Sequence, residues 1–282
     1  MKKFLKIFLW TIVSLVLILG LLITGFIYKV QNGFPVFYET EIPAIEFPTD
    51  KKAILLFSKS TGFRHGESIE TGKKTFAELA EKNNWFLYST EEGGVFNKEQ
   101  LAKFDMVIFN NSTGRLLNKE QEKNLEEYVE GGGSLLGIHG AGDNSHHWDW
   151  YVKNLTGSDF SHHALTPKFE EAVITLHPEA DSLIKTNLPA QWTHADEWYV
   201  FFENPRKHGF TLLYSIDGEK INANGNILWM KSKNFGMGKE HPVAWYKDVG
   251  EGHTYYTSLG HDATAWQQKP FVQMLENIVN QF

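Results

Sequence analysis

Residues 131–141, GGGSLLGIHGA, decide the fold of this chain. The first glycines predict the end of a helix, residues 134–138 predict a short buried strand, and the glycines on either side of His139 predict a sharp turn. In α/β proteins such a turn lies at the carboxyl end of a central strand, where ligands bind. A serine or cysteine there would indicate a hydrolase or amidotransferase nucleophile. Because the residue is histidine, the pattern favours a site of this type without acyl-enzyme chemistry.

Short apolar segments alternate with amphipathic segments on the amino-terminal side of this stretch. The alternation predicts right-handed crossovers and an α/β fold with a mainly parallel central sheet. Beyond residue 141 the rhythm changes, and two aromatic-rich segments joined by a glycine-containing loop predict a C-terminal β-hairpin. The predicted strands are residues 53–57, 85–89, 106–109, 134–138, 169–176, 243–247 and 254–259, and the predicted helices are residues 67–82, 97–102, 119–130, 146–155 and 269–281.

Composition excludes several classes of function. The first 30 residues contain four lysines and no acid, so the rest of the chain has 23 basic against 34 acidic side chains. An acidic surface of this kind repels phosphate backbones, and we expect no nucleic-acid partner. The chain has no cysteine, which excludes disulfides, thiolate metal sites and a glutamine amidotransferase of the cysteine type.

The amino-terminal segment predicts a membrane anchor. Residues 7–28 carry no charge, and about 20 apolar residues suffice to cross a bilayer as a helix. Three lysines precede this run, so the positive-inside rule places the amino terminus in the cytoplasm and the rest of the chain outside it. We therefore predict an uncleaved transmembrane anchor over residues 1–29, an extended linker over 30–50 and one domain over 51–282. In a Gram-negative cell the domain would lie on the periplasmic side of the inner membrane, and a cleaved signal peptide is the competing interpretation.

Histidines recur at the ends of predicted strands. His65, His139, His241 and His261 each lie in or beside such a loop, and loops at the carboxyl ends of parallel strands meet in one crevice. A single histidine of this kind is most often structural, but four in the same topological position favour a shared site. Histidine exchanges protons near neutral pH, so His139 and His261 are the predicted base and acid.

Two adjacent carboxylates lie in an aromatic segment, QWTHADEWY, at residues 191–199. Asp196 and Glu197 would point to opposite faces if this segment were extended, and either could orient a histidine. We include both among the predicted catalytic residues, although a solvated acidic strand is the simpler alternative. The residues predicted to hold a substrate are Arg64, His65, Trp148, Trp198 and His241.

The pattern does not by itself predict a cofactor. Histidines and carboxylates without cysteine suit zinc, manganese or iron, but the chain lacks a His-Glu-x-x-His helix and a His-x-His pair. If a divalent metal binds, its predicted ligands are His65, His139 and His261.

From about residue 52 to its end, the chain resembles the ThuA-like proteins of trehalose utilisation, which are similar in fold to class I glutamine amidotransferases. The motifs that carry the resemblance are FRH at 63–65, GIHGA at 137–141, WDWY at 148–151, DEWY at 196–199, NPR at 204–206, HP at 241–242 and LGH at 259–261.

The resemblance implies a flavodoxin-like three-layer sandwich, with His139 at the position of the amidotransferase cysteine and His261 near that of its histidine. It also implies a sugar as the small-molecule partner. We therefore expect an enzyme that acts on a disaccharide or a keto-glycoside by histidine acid–base chemistry, as a lyase, isomerase or hydrolase. A non-catalytic carbohydrate-binding domain is the alternative.

Overall fold

A computed structural model describes residues 2–32, 37–226 and 237–281 of the chain. Its strands are β1 (Ala53–Phe57), β2 (Phe86–Thr90), β3 (Met106–Asn110), β4 (Ser134–Ile138), β5 (Phe160–His163), β6 (Glu170–Leu176), β7 (Gln191–Asp196), β8 (Tyr199–Phe201), β9 (Thr211–Asp217), β10 (Glu240–Val249) and β11 (Gly252–Thr257). Its α-helices are α1 (Lys2–Asn32), α2 (Gly66–Asn83), α3 (Lys98–Leu101), α4 (Lys119–Glu130), α5 (Asp149–Tyr151) and α6 (Lys269–Asn280).

Nine of the described strands form one sheet in the order β2-β1-β3-β4-β11-β10-β9-β6-β7. The first five of these are parallel to one another, and β10, β9, β6 and β7 continue the sheet with antiparallel pairing. The predicted α/β class and the predicted hairpin, β10–β11, are therefore confirmed. The hairpin lies inside the sheet, where β11 pairs with β4.

Helices cover both faces of the sheet. Phe76 of α2 and Phe271 of α6 belong to one hydrophobic core, and Leu125 and Val129 of α4 belong to the other. Strands β1, β3 and β4 are buried along their whole length, as expected for parallel strands between two helical layers. The two cores hold the carboxyl edge of the parallel strands in a fixed position.

Local sequence signals account for the elements that lead to this edge. The Asn118 side chain accepts hydrogen bonds from the first turn of α4, and the Gln121 side-chain oxygen accepts one from the Asn118 backbone N–H, which forms a capping box. The bounds of β1, β4 and α4 match the predicted segments. Strand β9 is not among the predicted strands, because irregular connections replace the helices that mark strand spacing elsewhere.

Part of the predicted linker lies against the domain. Gln121 donates a hydrogen bond of 2.6 Å to the backbone oxygen of Glu39, whose carboxylate forms an ion pair with Lys59. The Phe47 ring packs edge-on at 4.9 Å from Phe104. Linker positions 33–36 lie outside the described residues.

Helix α1 is long and apolar enough to be a membrane anchor or a signal sequence. The most apolar window of 18 residues within Lys2–Lys29 has a mean hydropathy of 2.7, and none of that window is buried against the rest of the chain. About 20 residues of such a helix span the hydrocarbon core of a bilayer.

Candidate functional site

His139 lies on a sharp turn directly after β4, where the chain enters a single 3₁₀ turn, His139–Gly142. Its φ of 42° is in the left-handed region, which costs a non-glycine residue roughly 1–3 kcal/mol. A Cβ on Gly140 would lie 2.9 Å from the Thr113 methyl carbon and 3.1 Å from Nδ1 of His65, so only glycine fits there. The predicted turn is confirmed, and it presents the His139 ring at the edge of the sheet.

Four side chains from different loops meet at this edge. His65 follows β1, His139 follows β4 and His261 follows β11, all parallel strands, while Glu197 follows β7. All four are buried, with exposed fractions of 8% or less. We call these four residues the histidine cluster.

Three atoms of the histidine cluster lie very close together. Nδ1 of His261 is 2.9 Å from Nε2 of His139 and 3.0 Å from Oε2 of Glu197, and the last two atoms are 3.5 Å apart. Nδ1 of His139 donates a 2.6 Å hydrogen bond to the backbone oxygen of Ser258. Since that oxygen can only accept, Nε2 of a neutral His139 ring is an unprotonated acceptor.

The electrostatics of the histidine cluster favour an ionised carboxylate beside neutral His65 and His261 rings. Burial opposes ionisation of Glu197, but the contacts with the His139 and His261 imidazoles outweigh burial and hold the pKa of the carboxyl well below its usual range. Burial, reinforced by the two neighbouring imidazoles, keeps the pKa of His65 well below its usual value. Nδ1 of His65 is buried and has no hydrogen-bond partner among the described residues.

Asp196 lies behind the histidine cluster and fixes its backbone. Its carboxylate accepts hydrogen bonds from the N–H groups of Glu197 at 2.9 Å, Gly260 at 2.9 Å and His261 at 3.3 Å. Gly260 has a φ of 108°, a conformation that a side chain would strain. Of the two adjacent acids, Glu197 therefore enters the cluster and Asp196 positions it.

A buried polar network joins the loops that carry the histidines. The Ser68 hydroxyl donates to the backbone oxygen of Gly260 at 2.6 Å and accepts from Asn111 at 3.0 Å and from the Trp266 indole at 2.8 Å. The Asn111 side-chain oxygen accepts from the N–H of Gly140. Sequence reasoning did not identify Ser68 as a site residue, because its partners are distant in the chain.

Partly exposed side chains form a rim over the histidine cluster. Phe63 packs edge-on against His65 at 4.9 Å and Phe169 against His261 at 5.2 Å, and the two are 47% and 39% exposed. On the second oxygen of Glu197, Nδ1 of His163 lies at 3.1 Å and the Lys168 ammonium at 3.8 Å. Sequence reasoning did not assign His163, Lys168 or Phe169 to the site, although the adjacent histidines 162 and 163 were a visible signal.

Two of the predicted substrate-binding residues have other partners. The Arg64 guanidinium forms a two-point ion pair with Glu91, with bonds of 2.7 and 2.8 Å. Nε2 of His241 donates to the backbone oxygen of Tyr199 at 3.0 Å, and only 1% of the residue is exposed. Burial lowers the pKa of His241 to about 4, which keeps the ring neutral at neutral pH. In the described structure the His241 ring is therefore buried away from the histidine cluster's rim and bonded to the backbone.

The two tryptophans predicted to hold a substrate are also buried. The Trp148 indole N–H donates to the carboxylate of Glu126 at 2.5 Å, and that of Trp198 donates to the backbone oxygen of Glu170 at 2.8 Å. Both residues are less than 5% exposed. Of the predicted substrate-binding residues, His65 is the one that the structure places in the histidine cluster.

Comparison with known proteins identifies relatives of this domain. A family model described as ThuA, trehalose utilisation, matches residues 53–280. A ThuA-like protein from Bacteroides uniformis has a similar structure, with a TM-score of 0.66 and 22% identity over 84% of this chain and 93% of its own. A ThuA-like protein from Parabacteroides merdae has a TM-score of 0.57 and 18% identity over 81% of this chain and 88% of its own. No curated protein matches the chain.

Proposed function

The chain belongs to the ThuA family of trehalose utilisation, and from this premise we propose that it is an enzyme that acts on a disaccharide or its keto derivative. The family supports a role connected with carbohydrates. The observation that carries the enzymatic part is the histidine cluster itself, a buried set of imidazoles and an ionised carboxylate beneath a partly exposed aromatic rim. A domain that only binds sugar needs the rim but does not need buried proton-exchanging groups.

The proposed reaction begins at a carbon next to a sugar carbonyl. The carbonyl acidifies the neighbouring C–H, an imidazole of the site takes the proton, and the C–H electron pair moves to the carbonyl oxygen to give an enolate. The proton then returns to the sugar, and the imidazole is neutral again. A positioned imidazole accelerates such a transfer by roughly 10²–10⁴-fold.

We assign roles from the contacts described above. His139 and His261 meet the negative charge that develops on the substrate, either as base and acid or as ligands of a bound cation, and the Glu197 carboxylate offsets the positive charge of the protonated imidazole or of that cation. Asp196 holds the loop that carries Gly260 and His261. Phe63 and Phe169 offer apolar faces on which a sugar ring packs, as aromatic side chains with exposed faces do.

Deuterium incorporation tests the proton transfer directly. The purified full-length chain in D₂O should introduce deuterium next to the carbonyl of a 3-keto disaccharide, because the abstracted proton exchanges with solvent before it returns. Mass spectrometry of the sugar reports the exchange, and the parent disaccharide, which lacks the carbonyl, is the matched substrate control. Binding of the keto sugar without exchange or any product would instead support the carbohydrate-binding alternative.

The aromatic rim gives a second, weaker prediction within the same assay. Phe169→Ala should raise KM by roughly 2–10-fold with little change in kcat, since an aromatic contact contributes about 0.5–1.5 kcal/mol. Leu183→Ala is the control, because Leu183 is an exposed apolar residue of another loop at 61% exposure. Equal KM values for the two variants would contradict a role of the rim in binding.

We also propose that α1 anchors the domain outside the cytoplasm. The uncharged stretch of α1 and the lysines before it support this orientation. A phosphatase fused to the carboxyl terminus should be active outside the cytoplasm, and the chain should remain in the membrane fraction at full length. Recovery of a shortened soluble protein would show that the segment is a cleaved signal peptide.

A further inference from the structure

We propose that the histidine cluster, His65, His139, Glu197 and His261, binds one divalent transition-metal ion of the zinc type. Each of the four residues offers one ligand atom, and all four atoms lie within 4.8 Å of one another. The metal's part in turnover rests on the function proposed above, but its binding does not. Three imidazoles and one carboxylate are the ligand types that zinc and its first-row neighbours accept.

The spacing of the inner three atoms fits a single ion. Metal–ligand bonds of ~2.0–2.1 Å in tetrahedral geometry place the ligand atoms ~3.3–3.4 Å apart. The observed separations among Nε2 of His139, Nδ1 of His261 and Oε2 of Glu197 are 2.9, 3.0 and 3.5 Å. Only small shifts are therefore needed for these three atoms to surround an ion.

Hydrogen bonds alone do not satisfy these atoms. Nε2 of neutral His139 is an acceptor, because Nδ1 holds its proton against the Ser258 oxygen, and Oε2 of Glu197 is an acceptor as well. A single proton on Nδ1 of His261 can be donated either to Nε2 of His139 or to Oε2 of Glu197, but not to both. A further proton on His139 would pair it with Glu197 but would leave Nδ1 of His65 without a partner. A cation accepts electron pairs from all four residues at once.

The surroundings resemble those of known metal ligands. A histidine that binds a metal usually donates its other ring N–H to a carbonyl or carboxylate, and His139 does so to Ser258. Its ring is held by the turn after β4, and the His261 loop is held by Asp196. The orientation of the ligands is therefore determined before any ion arrives.

An ion in this position would serve the proposed reaction. With four protein ligands in place, the ion would take a substrate oxygen as its fifth ligand, an expansion that occurs in catalytic zinc sites. The ion would polarise the sugar carbonyl, and His139 and His261 would then be ligands. His163, a partly exposed imidazole at 3.1 Å from the second oxygen of Glu197, is the residue left to accept the proton.

Metal binding can be measured without any substrate. The full-length chain, purified in detergent and stripped with a chelator, should bind one Zn²⁺ per chain in isothermal titration calorimetry, and Co²⁺ should give the visible absorption of a four- or five-coordinate site. Glu197→Gln and His261→Gln should weaken Zn²⁺ binding by roughly 10²-fold or more, because each removes a ligand. His208→Gln, which removes an exposed histidine paired with Glu203, should leave it unchanged.

The outcomes separate this inference from the proposed function. Failure of the stripped wild-type chain to bind Zn²⁺, Mn²⁺ or Co²⁺, or equal binding by the ligand variants, would overturn the metal site. Full sugar turnover by stripped protein would refute a part of the metal in turnover and would leave the proposed function standing. Stoichiometric binding that the ligand variants abolish, with no deuterium exchange in any keto sugar, would establish the metal site and refute the proposed function. Circular dichroism of each variant identifies loss of binding that arises from misfolding.

Discussion

Replacing His139 by glutamine is expected to lower turnover of the sugar by roughly 10²-fold or more, with little change in melting temperature. Glutamine is similar in size and can still donate a hydrogen bond to the Ser258 carbonyl, so the turn after β4 should survive. It cannot carry a proton as imidazole does, and it is a poor ligand for a divalent cation. The measurement is kcat of the folded variant with the keto disaccharide, together with its thermal unfolding curve.

The same substitution at His208 provides the control, because that imidazole is exposed and paired with Glu203. His208→Gln should keep both kcat and melting temperature. A His139→Gln protein that unfolds at lower temperature but turns over normally when folded would assign His139 a structural role. In that case the strained backbone at φ 42° would reflect packing rather than chemistry.

Lowering the pH from 7 to 4 is expected to destabilise the wild-type chain relative to a His241→Gln variant by about 3 kcal/mol. Burial lowers the pKa of His241 to about 4 from its ordinary value of 6.5. Between these two values the unfolded chain binds a proton that the folded chain excludes, so the stability held above pH 6.5 is lost as the pH falls. Glutamine does not titrate and can still donate to the Tyr199 carbonyl, so the variant lacks this loss.

Urea unfolding at several pH values measures this effect, and the difference between the two proteins isolates one residue from the other groups that titrate. At pH 7 both proteins should turn over the sugar with similar KM, because the His241 ring is bonded to the backbone and only 1% exposed. A large rise in KM with an unchanged pH dependence of stability would support the predicted role of His241 in substrate binding.

Much of the fold could be predicted from local patterns. A fully apolar five-residue run predicted β1, the short segment after three glycines predicted β4, and the cap at Asn118 predicted the start of α4. The glycines around His139 predicted the turn that the structure contains. These features depend on residues close together in the chain, and there the residue types by themselves predict the backbone conformation and the burial.

The antiparallel half of the sheet was harder to predict from the sequence. The alternation of strands and helices ends after residue 141. Strands β6, β7 and β9 are joined by irregular segments, and β6 pairs with both β7 and β9. Strand β7 has alternating exposed and buried residues and many polar side chains, so its segment could equally be a solvated strand. Residues 191–196 form a strand of the sheet because they pair with β6. The residues around this segment do not by themselves predict that pairing.

For the site, the sequence by itself determined that histidines would follow parallel strands, because strand ends at one edge of a sheet lie close together by geometry. The tertiary structure decided which side chains meet there. It placed Glu197 in the histidine cluster and Asp196 behind it, buried His241 against a backbone oxygen, and brought Phe169 over His261. The physical reason is that a buried polar side chain must form hydrogen bonds with the groups that lie next to it in the folded protein. Those groups come from distant parts of the chain, so the sequence near each residue does not reveal them.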